Sequence, residues 1–440
     1  MTLESEVLER IKPTEEEVRS LSKAADDLKK RVEDYVKDHN IDVEVRFVGS
    51  YAKGTYLSDP DIDLFLLFPE TVSSKDLESI GLTVGEAIIK GERKYADHPY
   101  TRGVYEGVDV DLVPSYSIKT ADKLRSAVDR TPFHTQYIQE NLKEEQKDEV
   151  RLLKKFMKGI AVYGAEPDTR GFSGYLCELL VLHYGSFLKV LEAASEWKEG
   201  MNIAVSKKGP PIVGPLIVYD PVDQRRNVAS AVHLDTMALF VVASKSYLSS
   251  PSIKFFFPEE RRPYNRDELQ TIADRNGSRI VTVVFERPDV VEDNLYSQLW
   301  KTRYALTRKL NDFDYNVLRA EHEMYEKTLE IVFELERDVL SKTYKHTGPP
   351  VWVKAAESFL NKWKDNVYGP PFIEDGCWTV IAERMYFTAK EMLEEEAAVS
   401  GIGRELDPRK MKIRDHETSL NKTDPALLTA LMDPKNSWDV

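Results

Sequence analysis

The chain has 440 residues, 42% hydrophobic and 31% charged, with a formal net charge of −14. That length suits roughly three or four domains, and the composition is that of a folded globular protein. The negative balance excludes a simple basic nucleic-acid binder but leaves room for a local basic groove. No apolar run approaches the ~20 residues of a membrane span. The start, MTLESEVLER, is too acidic for a secretory leader. Cys177 and Cys377 make neither a disulfide framework nor a zinc cluster. Both lie in apolar contexts and are expected to be buried thiols of a cytoplasmic protein.

Apolar residues at helical spacing in a charged background predict an amphipathic helix over 14–38. VEVRFVG (43–49) alternates as a strand does, and DIDLFLLF (61–68) is a second strand, polar at its start. A helix over 73–91, capped by Ser73 or Ser74, and a hairpin over 100–116 turning near Glu106-Gly107 complete a small α/β unit. From about 145 the pattern turns helical, through DEVRLLKKFMKGIAVYG and GYLCELLVLHYGSFLKVLEAASEW. A Gly/Pro-rich passage at 209–221 precedes a helix from about 227 to 247, and KFFFPE (254–259) reads as a boundary. Beyond it come a strand at 279–288, a helix at 292–311 and a segment at 323–336 that suits strand or helix. A strand at 377–387 and a helix at 387–398 follow. The expected fold class is multidomain α/β plus α+β, with domains at 1–142, 143–256 and 257–440.

Residues i and i+2 of a strand share a face, so Asp61 and Asp63 project together, as do Asp109 and Asp111 in VDVDLVP. Aligned carboxylates repel unless a cation lies between them. Hard oxygen ligands without His or Cys favour magnesium or manganese. Asp59 and Asp109 are expected to be neighbours that tune the field or cap a turn. Upstream, Gly49-Ser50 follows a strand and opens a short helix, where glycine permits close backbone approach and N–H groups bind anions. GSYAKGT falls short of the P-loop pattern GxxxxGK[ST], because no Lys lies between Gly54 and Thr55. A phosphate-holding turn beside paired carboxylates describes metal-bridged nucleotidyl transfer.

GSYAKGT…DPDIDLFLLF…VDVDLVP resembles the signature of the polymerase-beta-like nucleotidyltransferase superfamily: Gly-Ser, then DxD, then a third carboxylate on a later strand. RLLKKFMKGIAVYGAEPDTRGFSGYLCELLVLHYGSF and DPVDQRRNVASAV narrow the resemblance to the archaeal, class I tRNA CCA-adding enzymes. It runs through nearly the whole chain, more loosely beyond about residue 247. It implies a nucleotidyltransferase head with a mixed sheet at 1–142 and a helical, nucleotide-binding neck at 143–256. An α+β body and tail at 257–440 would grip the tRNA acceptor end. The implied activity is template-independent addition of C, C and A to the tRNA 3′ end, from CTP and ATP, with two Mg²⁺ ions and release of pyrophosphate.

On that resemblance Asp61, Asp63 and Asp111 would be the metal-binding catalytic acids, Asp111 also assisting deprotonation of the tRNA 3′-hydroxyl. The family often has Glu at the first position; Asp61 is shorter but chemically equivalent. Gly49, Ser50 and Lys53 would contact the triphosphate. The family commonly has Arg in place of Lys53, and Lys keeps the charge but not the bidentate fork. His134, Lys154 and Tyr163 would lie near the nucleotide, and Arg226, next to Arg225, would read the base. By residue type alone a lone His, Lys154 beside Lys155, and Tyr163 before Gly164 read as structure, solvated face and helix-end packing. Family members are often homodimers, and the sequence marks no interface.

An acidic chain must still hold an RNA polyanion. RKMKIR supplies Arg409, Lys410, Lys412 and Arg414, the densest basic cluster. Arg261, Arg262 and Arg266 form another. Lys301, Arg303, Arg308 and Lys309 form a third, interleaved with Tyr296, Trp300 and Tyr304 in a combination suited to stacking plus charge. The Glu-rich stretch 320–340 is expected to face away from RNA. Two rival readings are another terminal transferase, such as a poly(A) polymerase, and an RNA-binding protein with an inactive head. CTP use and product length separate the first, and the intact acid trio argues against the second.

Overall fold

A computed structural model describes residues 2–58, 60–95, 99–120 and 123–440, so Asp59 lies outside the described residues. The chain forms two compact units, Met1–Glu260 with Asn436–Val440, and Arg261–Lys435.

The first unit opens with α1 (Leu3–Ile11) and α2 (Glu15–Asp38). A capping box of Thr14 and Glu17 starts α2, and Leu21, Ala25, Leu28, Val32 and Val36 bury one face of it. Then come β1 (Glu44–Val48), the short α3 (Gly49–Lys53), β2 (Asp61–Phe68) and α4 (Ser74–Ile89), capped by Ser73. β3 (Glu92–Tyr95), β4 (Pro99–Tyr105) and β5 (Val108–Tyr116) follow. The sheet order is β1-β2-β5-β4-β3, parallel between β2 and β5 and antiparallel elsewhere. The β4–β5 turn falls at Glu106 and Gly107, both with positive φ, as a tight hairpin requires. Ile62, Leu64, Leu66 and Phe68 share a core with α2 and α4, whereas Phe65 and Leu67 pack with Val48 and Val113 on the opposite face.

A second, mostly helical core follows. It comprises α5 (Thr131–Asn141), α6 (Glu144–Gly159), α7 (Gly174–Tyr184), α8 (Phe187–Ala194), the parallel pair β6 (Met201–Ala204) and β7 (Leu216–Tyr219), and α9 (Leu234–Ser249). Phe156 contacts the rings of Phe187, Phe240, Tyr247, Phe255 and Phe256 at its centre. Both ends of the chain pack here: α1 through Val7 and Ile11, and the terminus through Trp438, stacked on Phe255 with centroids 5.1 Å apart.

The sequence-based helices shift for identifiable reasons. The helical stretch beginning at Gly174 breaks at Gly185 (φ 101°), after which Ser186 caps α8. α9 begins at Leu234 rather than near 227, because Asn227 is tied into the β7 edge. Its side chain accepts from the Val218 and Ala229 N–H groups and donates to the Leu216 carbonyl. In the first unit, α1, β3, α5, β6 and β7 were not expected from the sequence.

The second unit contains α10 (Arg266–Asn276), β8 (Arg279–Glu286), α11 (Glu292–Asp312), β9 (Val317–Met324), β10 (Thr328–Leu335), β11 (Thr343–Pro350) and α12 (Ala355–Trp363). β12 (Phe372–Glu374), β13 (Cys377–Glu383), α13 (Ala389–Glu396), β14 (Lys412–Arg414), α14 (His416–Lys422) and α15 (Pro425–Met432) complete it. Its antiparallel sheets have the orders β14-β8-β10-β9 and β11-β13-β12. The ambiguous 323–336 segment is the end of β9 and all of β10. Cys177 is buried, its thiol pushed up to about 12 chiefly by burial. Cys377, expected to be buried, is instead partly exposed on β13. No single helix among the described residues is long and apolar enough to cross a membrane.

Candidate active site

β2 and β5 run parallel and in register, so Asp61 faces Asp109 and Asp63 faces Asp111. Antiparallel β1 places Val48 opposite Asp63, and the chain turns into α3 directly beside that acid. Gly49 has φ 69°, and a Cβ there would land on the Asp63 carboxylate. This is the close backbone approach that only glycine allows. The Gly49 N–H donates to Thr135 Oγ1 at 3.2 Å, and the Ser50 hydroxyl donates to Asp61 Oδ1 at 3.4 Å.

The acids are short of positive charge. Burial, reinforced by the charges of Asp61 and Asp111, pushes Asp63 up to about 7 despite Lys53 and Arg102. Burial likewise pushes Asp111 up to about 6, although Arg102 lies beside it with Nη1 3.6 Å from Asp111 Oδ2. Asp111 Oδ1 is buried with no hydrogen-bond partner among the described residues. Asp109 is more exposed, and Arg102 Nη2 lies 3.8 Å from its Oδ2. Among the described residues no three His, Cys, Asp or Glu side chains already converge as a metal cage. Mg²⁺ commonly takes only one or two carboxylates and completes its shell with water and phosphate oxygens. An unpartnered buried carboxylate oxygen in an all-oxygen set therefore fits that ion.

A second cluster centres on Glu178 of α7, which has no exposed surface. Lys53 Nζ and Thr55 Oγ1 each donate to it at 2.6 Å, and Lys154 Nζ lies 3.6 Å away. Lys154 also donates to the Thr55 carbonyl at 3.1 Å. Burial alone would raise the Glu178 carboxyl, but the two ammonium groups and these hydrogen bonds hold it below the ordinary glutamate value. Burial lowers Lys154, with Glu178 opposing. Tyr163 adjoins them: a Cβ on Gly174 would meet its hydroxyl at 3.0 Å and Lys154 Nζ at 3.6 Å. Arg151 secures the same loop by donating to the Gly54 and Tyr56 carbonyls.

A third cluster centres on Asp220, just past β7 and likewise without exposed surface. Its Oδ2 accepts from His134 Nε2 at 2.8 Å and from Arg226 Nη1 at 3.1 Å. Its Oδ1 accepts from the Val222 N–H at 3.0 Å and the Tyr175 hydroxyl at 3.3 Å. The His134 ring stacks on Tyr175 with centroids 3.9 Å apart. Burial keeps His134 below the ordinary imidazole value, so at neutral pH it is uncharged and donates through Nε2. Arg225 instead pairs with Asp223 and is largely exposed.

The first unit thus brings together the sequence-chosen Asp61, Asp63 and Asp111 with Gly49 and Ser50, Lys53 with Lys154 and Tyr163, and His134 with Arg226. Sequence reasoning missed the two carboxylates that organise the last two groups. Their signal is an acid out of place: Glu178 interrupts the apolar run GYLCELLVL, and Asp220 ends LIVYD, whose five residues are all buried.

In the second unit, basic density in the sequence is not the same as free charge. Arg414 is a bidentate partner of buried Glu330, at 2.9 and 3.0 Å. Arg303 donates to Glu321 and the Ala320 carbonyl while covering the Trp300 ring at 4.1 Å. Arg261 pairs with Asp433, Arg262 with Glu268, and Lys309 with Glu396. Arg409 and Lys410 make exposed pairs with Asp407 and Glu286. Lys301 and Lys412 are exposed with no ionic partner among the described residues. Within the Glu-rich stretch, Glu330 and Glu334 are buried partners of Arg414 and Arg319.

A sheet that sets Asp61, Asp63 and Asp111 beside a Gly-Ser turn suits the nucleotidyltransferase class, and residues 27–134 match the nucleotidyltransferase domain family. Residues 148–257 match the family described as tRNA nucleotidyltransferase, second domain, and residues 276–414 match CCA-adding enzyme, C-terminal domain. Over 411 residues the chain is 42% identical to the CCA-adding enzyme of Methanosarcina mazei, covering 91% of this chain and 90% of that one. It is 38% identical to that of Archaeoglobus fulgidus, covering 87% and 86%. The chain belongs to the family of archaeal CCA-adding enzymes. Among solved structures, a poly(U) polymerase overlays with a TM-score of 0.45 at 16% identity, covering 57% of this chain and 94% of its own.

Proposed function

We propose that this chain adds C, C and A to the 3′ end of tRNA without a template, taking CTP and ATP and releasing pyrophosphate. The observation that carries the chemistry is the register of β2 and β5, which sets Asp63 against Asp111 under a turn whose glycine touches Asp63. Asp61, Asp63 and Asp111 would hold two Mg²⁺ ions, which neutralise triphosphate charge and acidify the attacking hydroxyl when bound. Gly49, Ser50 and Lys53 contact the triphosphate, with Lys154 and Tyr163 near the nucleotide and both lysine side chains held in place by Glu178. Asp111 takes the proton of the tRNA 3′-hydroxyl. The hydroxyl oxygen bonds to the α-phosphorus as the bond to the β-phosphate bridging oxygen breaks. Arg226 and His134 face the base, where an arginine can donate to cytosine O2 and N3 or adenine N1. The second unit grips the tRNA acceptor stem through exposed cations, Lys301 and Lys412 joined by Arg409 and Lys410. The enzyme works in the cytoplasm, as a homodimer.

A tRNA transcript lacking its last three residues tests this, with Mg²⁺ and each nucleotide alone and combined, read at single-nucleotide resolution. Two additions with CTP, a third only when ATP joins, and then a halt are expected. A long ladder with ATP alone would move the chain to the poly(A) polymerase reading. Bound tRNA with no extension would favour the inactive RNA-binding reading.

A further inference from the structure

Asp220 is saturated. Both of its oxygens accept, one from His134 and Arg226, the other from the Val222 N–H and Tyr175. It has no exposed surface, so it cannot swing toward solvent without leaving four donors unmatched. The loop that carries it is closed as well. The Asp220 N–H donates to the Arg226 carbonyl at 3.1 Å, and the Arg226 N–H to that of Asp223 at 2.9 Å. Arg226, by contrast, is one-third exposed, and its guanidinium has no other partner among the described residues. A single rigid carboxylate therefore decides where the remaining donors of this arginine point.

That matters for choosing a base. Cytosine N3 and adenine N1 accept hydrogen bonds, whereas uracil N3 and guanine N1 carry a proton. A fixed donor opposite that position rewards the first pair and collides with the second. A guanidinium free to pivot could reach the uracil carbonyl oxygens instead and lose the distinction. Buried polar sites discriminate because the wrong partner leaves a group unpaired, and this holds only if the site cannot relax.

We propose that Asp220 is the positioning residue for base selection, holding the Arg226 guanidinium, and the His134 ring beside it, in the orientation that admits C and A and rejects U. It acts through Arg226 and touches no substrate. The inference rests on the proposed reading that Arg226 faces the base.

The test is a double-mutant cycle on selectivity. The kcat/KM for CTP and for UTP is measured on a tRNA transcript lacking its last three residues, with wild type, Asp220→Asn, Arg226→Ala and the double variant. Asp220→Asn is expected to lower C-over-U selectivity about tenfold, mostly through KM. In the Arg226→Ala background the same change is expected to shift selectivity less than twofold, because the group it positions is gone. Two results overturn the proposal. One is an equal loss for CTP and UTP in Asp220→Asn, as a merely structural role would give. The other is a selectivity loss that multiplies in the double variant. If Asp220→Asn does not fold, Asp220→Glu keeps the charge but displaces it by one methylene; unchanged selectivity in that variant also overturns the proposal. Absence of C-over-U discrimination in wild type would instead sink the CCA-adding reading itself.

Discussion

A methyl group at position 49 would have to occupy space already filled by the Asp63 carboxylate, at a backbone φ of 69° that side chains with a Cβ avoid. Gly49→Ala is therefore expected to displace the acid rather than unfold the domain. Incorporation should fall about a hundredfold or more, since catalytic groups misplaced by an ångström lose that much. The melting temperature should drop by only a few degrees, in line with a local strain of about 1–2 kcal/mol. Single-turnover extension and a thermal melt check the two halves; unchanged turnover would refute the close-approach argument. Asp63→Ala leaves the backbone alone and removes the acid. It should abolish incorporation while tRNA affinity in a filter-binding assay stays within about threefold, since the phosphate-binding cations remain. Substantial residual turnover would contradict the metal-binding role proposed for it.

At the scale of elements, Glu178 joins α7 to α6 and to the loop after α3. Its folded-state acidity lies below the ordinary glutamate value of 4.5, so it contributes stability that is present above 4.5 and lost as pH falls through the lower folded value. Glu178→Gln leaves two lysines facing an uncharged amide. It should cost about 3–5 kcal/mol at pH 7, the range for breaking a buried ion pair. The difference from wild type should shrink as pH is taken below 4.5, which urea melts across the pH range would display. A gap that stays constant would mean that the carboxylate is not charged in the fold.

The same elements show what was legible in the sequence. β2 and the hairpin at 106–107 were readable because alternation and turn chemistry are local, and the DxD spacing needed only the strand period. The register that sets Asp63 against Asp111 was not readable, since pairing between strands more than forty residues apart is decided by the whole sheet. α9 was begun too early because Val228 and Ala229 look helical. They are held in a turn by the Asn227 side chain, a tertiary bond that overrides propensity. Glu178 and Asp220 escaped notice because their partners, Lys53 and His134, come from distant segments.

Across the whole molecule, a net charge of −14 coexists with an RNA polyanion as substrate. The internal pairing of many arginines means that counting basic residues overstates the charge offered to RNA. Lys301→Ala with Lys412→Ala should reduce the slope of log affinity against log salt by about 1–2, with little change in stability. Arg414→Ala should do the reverse. It strands buried Glu330 at a cost of about 3 kcal/mol and leaves the salt slope unchanged. Filter binding at several salt concentrations, paired with thermal melts, separates them. A changed slope in Arg414→Ala would return that residue to the RNA surface.

The last residues of the chain rejoin the first unit, where Trp438 stacks on Phe255 and the Ser437 hydroxyl donates to the Gly159 carbonyl. In topological terms, residues 261–435 are an insertion: the chain departs after Glu260 and comes home at Asn436. Whatever pulls on the inserted unit is transmitted through two covalent strands rather than one. Each strand is anchored in the helical core that also carries Glu178 and Asp220. A plain C-terminal truncation would therefore strip Trp438 and Ser437 from that helical core, whereas excising 261–435 would leave both contacts in place.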